Sequence, residues 1–117
     1  MCGIAGLLTI DGRAPSQEVL TAMSQALIHR GPDGDGAYRA DGIGMVHRRL
    51  AIIDLETGAQ PLQDPEGAVL VANAEIYNHV ELRAELAGTV FKSGSDCEPI
   101  LPLYRLYGAE FVARLRG

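Results

Sequence analysis

A cysteine stands at position 2, and its place in the chain makes it the most informative residue chemically. Initiator methionine is normally removed before a small residue, which leaves a thiol and a free α-amine on the same residue. The ordinary acidities of a thiol and an α-amine lie within about one pH unit of each other, so near neutrality the amine can take the thiol proton, directly or through one water. Nucleophile and base then come from one residue, and no Cys–His spacing is needed elsewhere. Position alone leaves an incidental cysteine as the other reading. Cys97 reads as a packed thiol near a helix start. His29, His47 and His79 lack metal-ligand spacing and read as structural, with no metal site expected. Read alone, Glu75 is an ordinary exposed acid and Asp96 a helix-start acid. Arg48 and Arg49 are neighbours in a strand pattern, so alternation sends them to opposite faces, and Arg48 reads as a solvated charge. The only Gly-rich stretch, residues 31–36, has neither a Walker Lys-Ser/Thr nor a strand-to-helix dinucleotide pattern, so no nucleotide site is expected in this chain.

These residues must be held by short elements. Gly3–Ile10 is apolar and rich in Ile and Leu, as in a buried strand. Ser16 can cap a helix over Gln17–Ile28, where Val19, Leu20, Met23, Ala26 and Leu27 share a face. Arg30–Gly36 is a loop by composition. Strands are predicted over Gly36–Ala40, Ile43–His47, Ala51–Asp54 and Ala68–Ala74, separated by turn signals that favour antiparallel neighbours. Asn78 with Glu81 reads as a capping box opening a helix over His79–Leu86. A short strand follows at Thr89–Lys92. Ser95 with Glu98 opens a second helix towards Tyr107, in which Pro102 should introduce a kink. Ala109–Gly117 is an amphipathic end segment. No βαβ rhythm appears, so the fold class predicted is α+β, antiparallel sheet flanked by helices.

At 117 residues the chain suits one domain or part of one. Hydrophobic residues at 47% and charged residues at 21% exclude a disordered tail. Ten basic against 15 acidic residues give −5, which argues against a nucleic-acid or anionic-membrane surface. No apolar run approaches a membrane span, and the start lacks the basic region of a signal peptide. Two free thiols and a cytoplasmic location are therefore expected.

Six ordered segments carry a resemblance: Cys2-Gly3-Ile4-Ala5-Gly6, His29-Arg30-Gly31-Pro32-Asp33-Gly34, Arg49-Leu50-Ala51-Ile52-Ile53-Asp54, Gly58-Ala59-Gln60-Pro61-Leu62, Asn73-Ala74-Glu75-Ile76-Tyr77-Asn78-His79 and Gly94-Ser95-Asp96-Cys97-Glu98. In order and spacing the chain resembles the glutaminase domain of class II, N-terminal nucleophile glutamine amidotransferases, and within that family the glutamine-hydrolysing asparagine synthetases. The resemblance implies an N-terminal nucleophile α/β/β/α sandwich of mainly antiparallel sheets. Residues 1–117 would be its N-terminal portion, with the rest of the domain and an ATP- and Mg-dependent synthetase domain beyond, and with exposed sheet edges that favour association. It implies that Cys2 attacks the amide of L-glutamine, forming a thioester and releasing ammonia for the synthetase domain. Asn73 and the backbone N–H of Ala74 would stabilise the oxyanion. Arg49 would hold the substrate α-carboxylate through two parallel hydrogen bonds, and Glu75 and Asp96 its α-ammonium. The partners implied are L-glutamine and the synthetase domain, with no nucleic acid or membrane and a homodimer left open. The chain departs from the family at Ala74, where glycine usually follows the asparagine. If the site needs positive φ there, a methyl costs roughly 1 kcal/mol. A catalytically impaired glutamine-binding or interaction module is therefore one alternative; the amidotransferase domain of another amide- or amine-forming synthase is the second.

Overall fold

The computed structural model describes residues 1–52 and 56–117. Its strands are β1 (Gly3–Leu8), β2 (Gly34–Ala40), β3 (Ile43–Arg49), β4 (Leu62–Gln63) and β5 (Val69–Leu70). Its helices are α1 (Gln17–Ala26), α2 (His79–Glu85) and α3 (Ile100–Tyr107), followed by a 3₁₀ segment over Gly108–Arg114. β1, β3 and β2 form one antiparallel sheet with β3 in the centre, and β4 pairs antiparallel with β5. The class is mixed α and β with antiparallel sheets, as the sequence pattern and the resemblance require.

The register explains how the layers stack. Gly3, Arg48 and Asp35 lie side by side, as do Leu7, Gly44 and Arg39, so these share one face. A side chain on Gly44 would run into Leu20 of α1, and one on Gly3 would press on Leu27. α1 therefore lies on this face, started by Ser16, whose hydroxyl accepts the Val19 N–H at 3.3 Å. Ile4, His47, Gly36 and Arg49 face the other way. There a Cβ on Gly36 would fall on the Gln60 carbonyl, so the second layer comes into backbone contact with the sheet. Leu62 of β4 is buried with Ile76, Leu82, Leu86, Cys97, Ile100, Leu101 and Leu103, with Leu70 of β5 packed against them. The order of layers is thus helix, sheet, small sheet, helices. On the inner face of edge strand β1, Ile4 and Leu8 remain 45% and 74% exposed.

Several expectations are corrected. The predicted strand Ala68–Ala74 shrinks to Val69–Leu70, because the Ala72 N–H is taken by the Gln60 side chain at 2.6 Å and is lost to a ladder. Thr89–Lys92 is not a strand: the Thr89 N–H bonds Leu86 and the Lys92 N–H bonds the Glu98 carboxylate at 2.7 Å. Of the strand expected at Ala51–Asp54, Ala51 and Ile52 are irregular, and Ile53 and Asp54 lie outside the described residues.

Neither proposed capping box forms. Asn78 makes no side-chain cap; its amide donates to the Arg114 carbonyl and accepts from the Arg116 N–H, both at 2.9 Å. Glu98 turns back to the N–H groups of Lys92 and Ser93 and the Ser93 hydroxyl, leaving α3 to begin at Ile100. That start places Pro102 in the first turn, where its missing N–H has no helical partner to lose, so the helix continues to Tyr107. Arg48, expected in solvent, is buried; it donates to the Gly31 carbonyl at 3.1 Å and pairs with Asp35 at 3.5 Å. It ties the 30–36 loop to β3.

Two tests follow from this packing. Gly36→Ala should lower stability by about 1–3 kcal/mol in urea unfolding, since the methyl meets a backbone carbonyl that cannot rotate away. Glu98 is buried and burial opposes its charge, but the Lys92 and Ser93 donors and Arg83, 3.5 Å away, outweigh it and hold its carboxyl below the usual range. A depressed carboxyl contributes stability above its unfolded value and loses it as pH falls through the folded one. The wild type should exceed Glu98→Gln in stability at pH 7, with the gap closing under acid; a gap that is constant from neutral to acid pH contradicts this.

Candidate active site

β1 carries Cys2 to the end of β3. The Cys2 thiol accepts the Leu50 N–H at 3.3 Å and faces the Leu50 carbonyl at 3.6 Å, one residue past Arg49. The Arg30 guanidinium donates to the Cys2 carbonyl at 3.1 Å. Asp33 fixes the neighbouring loop, its N–H bonding the Arg49 carbonyl at 3.0 Å and its carboxylate accepting the Ala51 N–H at 2.9 Å. Two glycines of that loop, Gly31 and Gly36, are consumed by packing. A Cβ on Gly31 would strike the backbone of Arg48, and Gly36 lies beneath Gln60. Those two close backbone approaches serve the packing of the protein itself.

The opposite wall is the irregular segment after β5. Asp96 is buried, and its carboxylate accepts the Ile76 N–H at 2.7 Å, joining the Gly94–Glu98 turn to the Asn73–Asn78 segment. Arg83 supports that turn by donating to the carbonyls of Ser93 and Ser95, while stacking over Phe91 at 4.2 Å. The chain end closes beside it: the Tyr77 N–H bonds the Arg116 carbonyl at 2.7 Å, and Gly117 abuts the Glu75 carbonyl.

Between the walls lies a cavity of about 380 Å³. Cys2, Arg49, Asn73, Ala74, Glu75 and Asp96 all border it, so the structure brings together every site residue singled out from the sequence. Arg49 reaches it because it lies on the inner face of β3, opposite in orientation to Arg48. Met1 also borders the cavity. Cys97 is buried at the cavity wall, where burial above all, and the Asp96 charge after it, push its thiol up to about 12. That is the packed thiol expected.

The bordering residues that sequence did not assign to the site include His47, Gln60 and Ser95. His47 is 1% exposed, and burial holds its imidazole below the usual histidine range; the Ala72 backbone opposes this and the Arg49 charge adds to it. The available signal was its place in β3, two residues before Arg49, which puts both on one face. Among the described residues, no cluster of three or more His, Cys, Asp or Glu side chains is arranged to hold a metal ion. Among the described residues no helix is long and apolar enough to cross a membrane.

Comparison with known proteins agrees with this geometry. All of residues 1–117 match the family described as "Glutamine amidotransferase domain". The chain is 44% identical to a probable glutamine-hydrolysing asparagine synthetase of Dictyostelium discoideum, over 122 residues that cover 100% of this chain and 22% of that protein. It is 42% identical to glutamine-hydrolysing asparagine synthetase 1 of Bacillus subtilis strain 168 (100% and 20%) and 43% identical to asparagine synthetase B of Escherichia coli strain K12 (100% and 22%). It spans about a fifth of the length of these relatives. The match along the whole chain and the convergence of the motif residues on one cavity place this chain in the glutamine amidotransferase domain family.

Proposed function

We propose that this domain hydrolyses the side-chain amide of glutamine through Cys2 and delivers the ammonia to an ATP-dependent synthetase domain of an asparagine synthetase. The observation that carries this reading is the meeting of the Cys2 thiol, the Arg49 guanidinium, the Glu75 and Asp96 carboxylates and the Asn73 carboxamide around a single cavity. Removal of Met1 frees the Cys2 amine, which takes the thiol proton. The thiolate attacks the amide carbon, and the negative oxygen that forms is met by the Asn73 side-chain amide and the Ala74 N–H. The amine returns its proton to the departing nitrogen, ammonia leaves, and water cleaves the γ-glutamyl thioester to glutamate and the free thiol.

Arg49 on one wall and Glu75 with Asp96 on the other read the two charges of a free amino acid, which selects against peptides and simple amides. One oxygen of Asp96 is fixed by the Ile76 N–H, so the carboxylate is oriented before substrate arrives. ATP and Mg²⁺ would act in the synthetase domain, with aspartate as the default acceptor, in keeping with what the relatives are named for. Ala74 favours a second reading, a domain that binds glutamine with impaired turnover.

Glutamate release from the chain lacking Met1 tests both. Cys2→Ala should reduce it to background, and release that persists in this variant removes Cys2 from the mechanism. Arg49→Lys should raise KM roughly tenfold by losing one of two parallel hydrogen bonds, with kcat much less affected. Ala74→Gly separates the readings. A gain in kcat of about tenfold or more supports impairment by the methyl, whereas an unchanged kcat shows that the oxyanion donors are intact in the natural chain. Glutamine binding without release in either protein supports the binding module.

A further inference from the structure

His47 borders the cavity, yet the chemistry above gives it no task. Its ring is fully buried, and among the described residues neither nitrogen has a hydrogen bond of adequate geometry. Buried polar groups are normally satisfied, so an orphan ring at a ligand cavity calls for a partner. The register fixes which way the ring faces. His47 lies on the inner face of β3, paired with Gly36, the position at which the second layer touches the sheet through Gln60. The backbone of Ala72 is the acceptor beside the ring. The N–H of Ala72 is already held from the other side by the Gln60 carboxamide at 2.6 Å. The two residues that follow Ala72 are Asn73 and Ala74, the two oxyanion donors.

We propose that His47 is a positioning residue: with the site loaded, a ring N–H bonds the Ala72 carbonyl, and His47 and Gln60 together clamp this residue so that the Asn73 and Ala74 donors are aimed at the oxyanion. The proposal rests on the glutaminase reading above. A hydrogen bond that is incomplete in a ligand-free site and tightens in the complex is common for groups of this kind. The clamp acts on the transition state through Asn73 and Ala74, so its loss falls on kcat and spares KM.

The test compares His47→Leu, which keeps an apolar body of similar bulk, with His47→Asn and His47→Gln, which restore an amide N–H near one or the other ring nitrogen. In the chain lacking Met1, His47→Leu should lower kcat for glutamine about 10–100-fold with KM within about twofold, and one of the amide variants should recover to within about fivefold of wild type. The backbone N–H resonances of Ala72–Ala74 should move in the Leu variant and return towards wild type in the recovering one. Equal kcat in wild type and His47→Leu, or kcat and KM changing together without amide rescue, overturns the proposal. If the wild-type chain releases no glutamate above Cys2→Ala, the functional reading falls, and the Ala72–Ala74 resonances alone decide the clamp: movement with amide rescue supports it, unmoved signals overturn it. Should His47→Leu fail to fold, the wild-type ring decides, with an N–H protected from exchange in the presence of glutamine supporting the clamp and an unprotected ring overturning it.

Discussion

The antiparallel register of β1 on β3 is the constraint on which the site depends. Gly3 opposite Arg48 brings Cys2, one residue beyond, level with Arg49, where its thiol accepts the Leu50 N–H, and Arg49 points into the space between the sheets. A slip of one residue reverses every side chain on β3. Arg48 would then enter the cavity, and Arg49 and His47 would be driven against α1. The register is held by what fits each face: Gly3 and Gly44 where Leu27 and Leu20 of α1 come closest, and buried Arg48 bonded to the Gly31 carbonyl. The nearest chain neighbours of the Cys2 thiol are thus fixed by close packing rather than by contacts of the thiol itself.

The facing wall solves a different problem. After β5 the chain leaves the ladder, and residues 71–78 have too little strand pairing to be positioned by backbone bonds alone. Side chains take over. Gln60 holds Ala72, Asp96 holds Ile76, and Asn78 receives the chain end at Arg114 and Arg116. Gln60 and Asp96 thereby hold the backbone on either side of Asn73, Ala74 and Glu75, which carry the proposed oxyanion and substrate groups. Irregular backbone secured by buried hydrogen bonds is a common way to present several functional groups at one point.

The same division explains what was legible in the sequence. Periodicity and turn residues located β1, α1, β2 and β3 to within a few positions, because those elements are organised by apolar alternation and a local cap. The ordered motifs located Cys2, Arg49, Asn73, Ala74, Glu75 and Asp96, and all six border one cavity. The errors lie where a polar side chain chose a distant partner over a local one. Asn78 and Glu98 matched the spacing of capping boxes but are spent on the chain end and on the Lys92–Ser93 turn. Arg48 carries a charge that spacing assigned to solvent, yet its burial is satisfied by a carbonyl 17 positions earlier. His47 was legible as structural but not as a cavity residue, because its setting depends on how closely the second layer approaches at Gly36.

The most direct test of the account is covalent. A glutamine analogue with an electrophilic diazoketone in place of the amide should add once to the chain lacking Met1, and peptide mass mapping should place the adduct on Cys2, with excess glutamine protecting it. Labelling on Cys97, or labelling of Cys2 that glutamine does not prevent, would contradict the claim that this cavity presents the second residue of the chain to the amide carbon of glutamine.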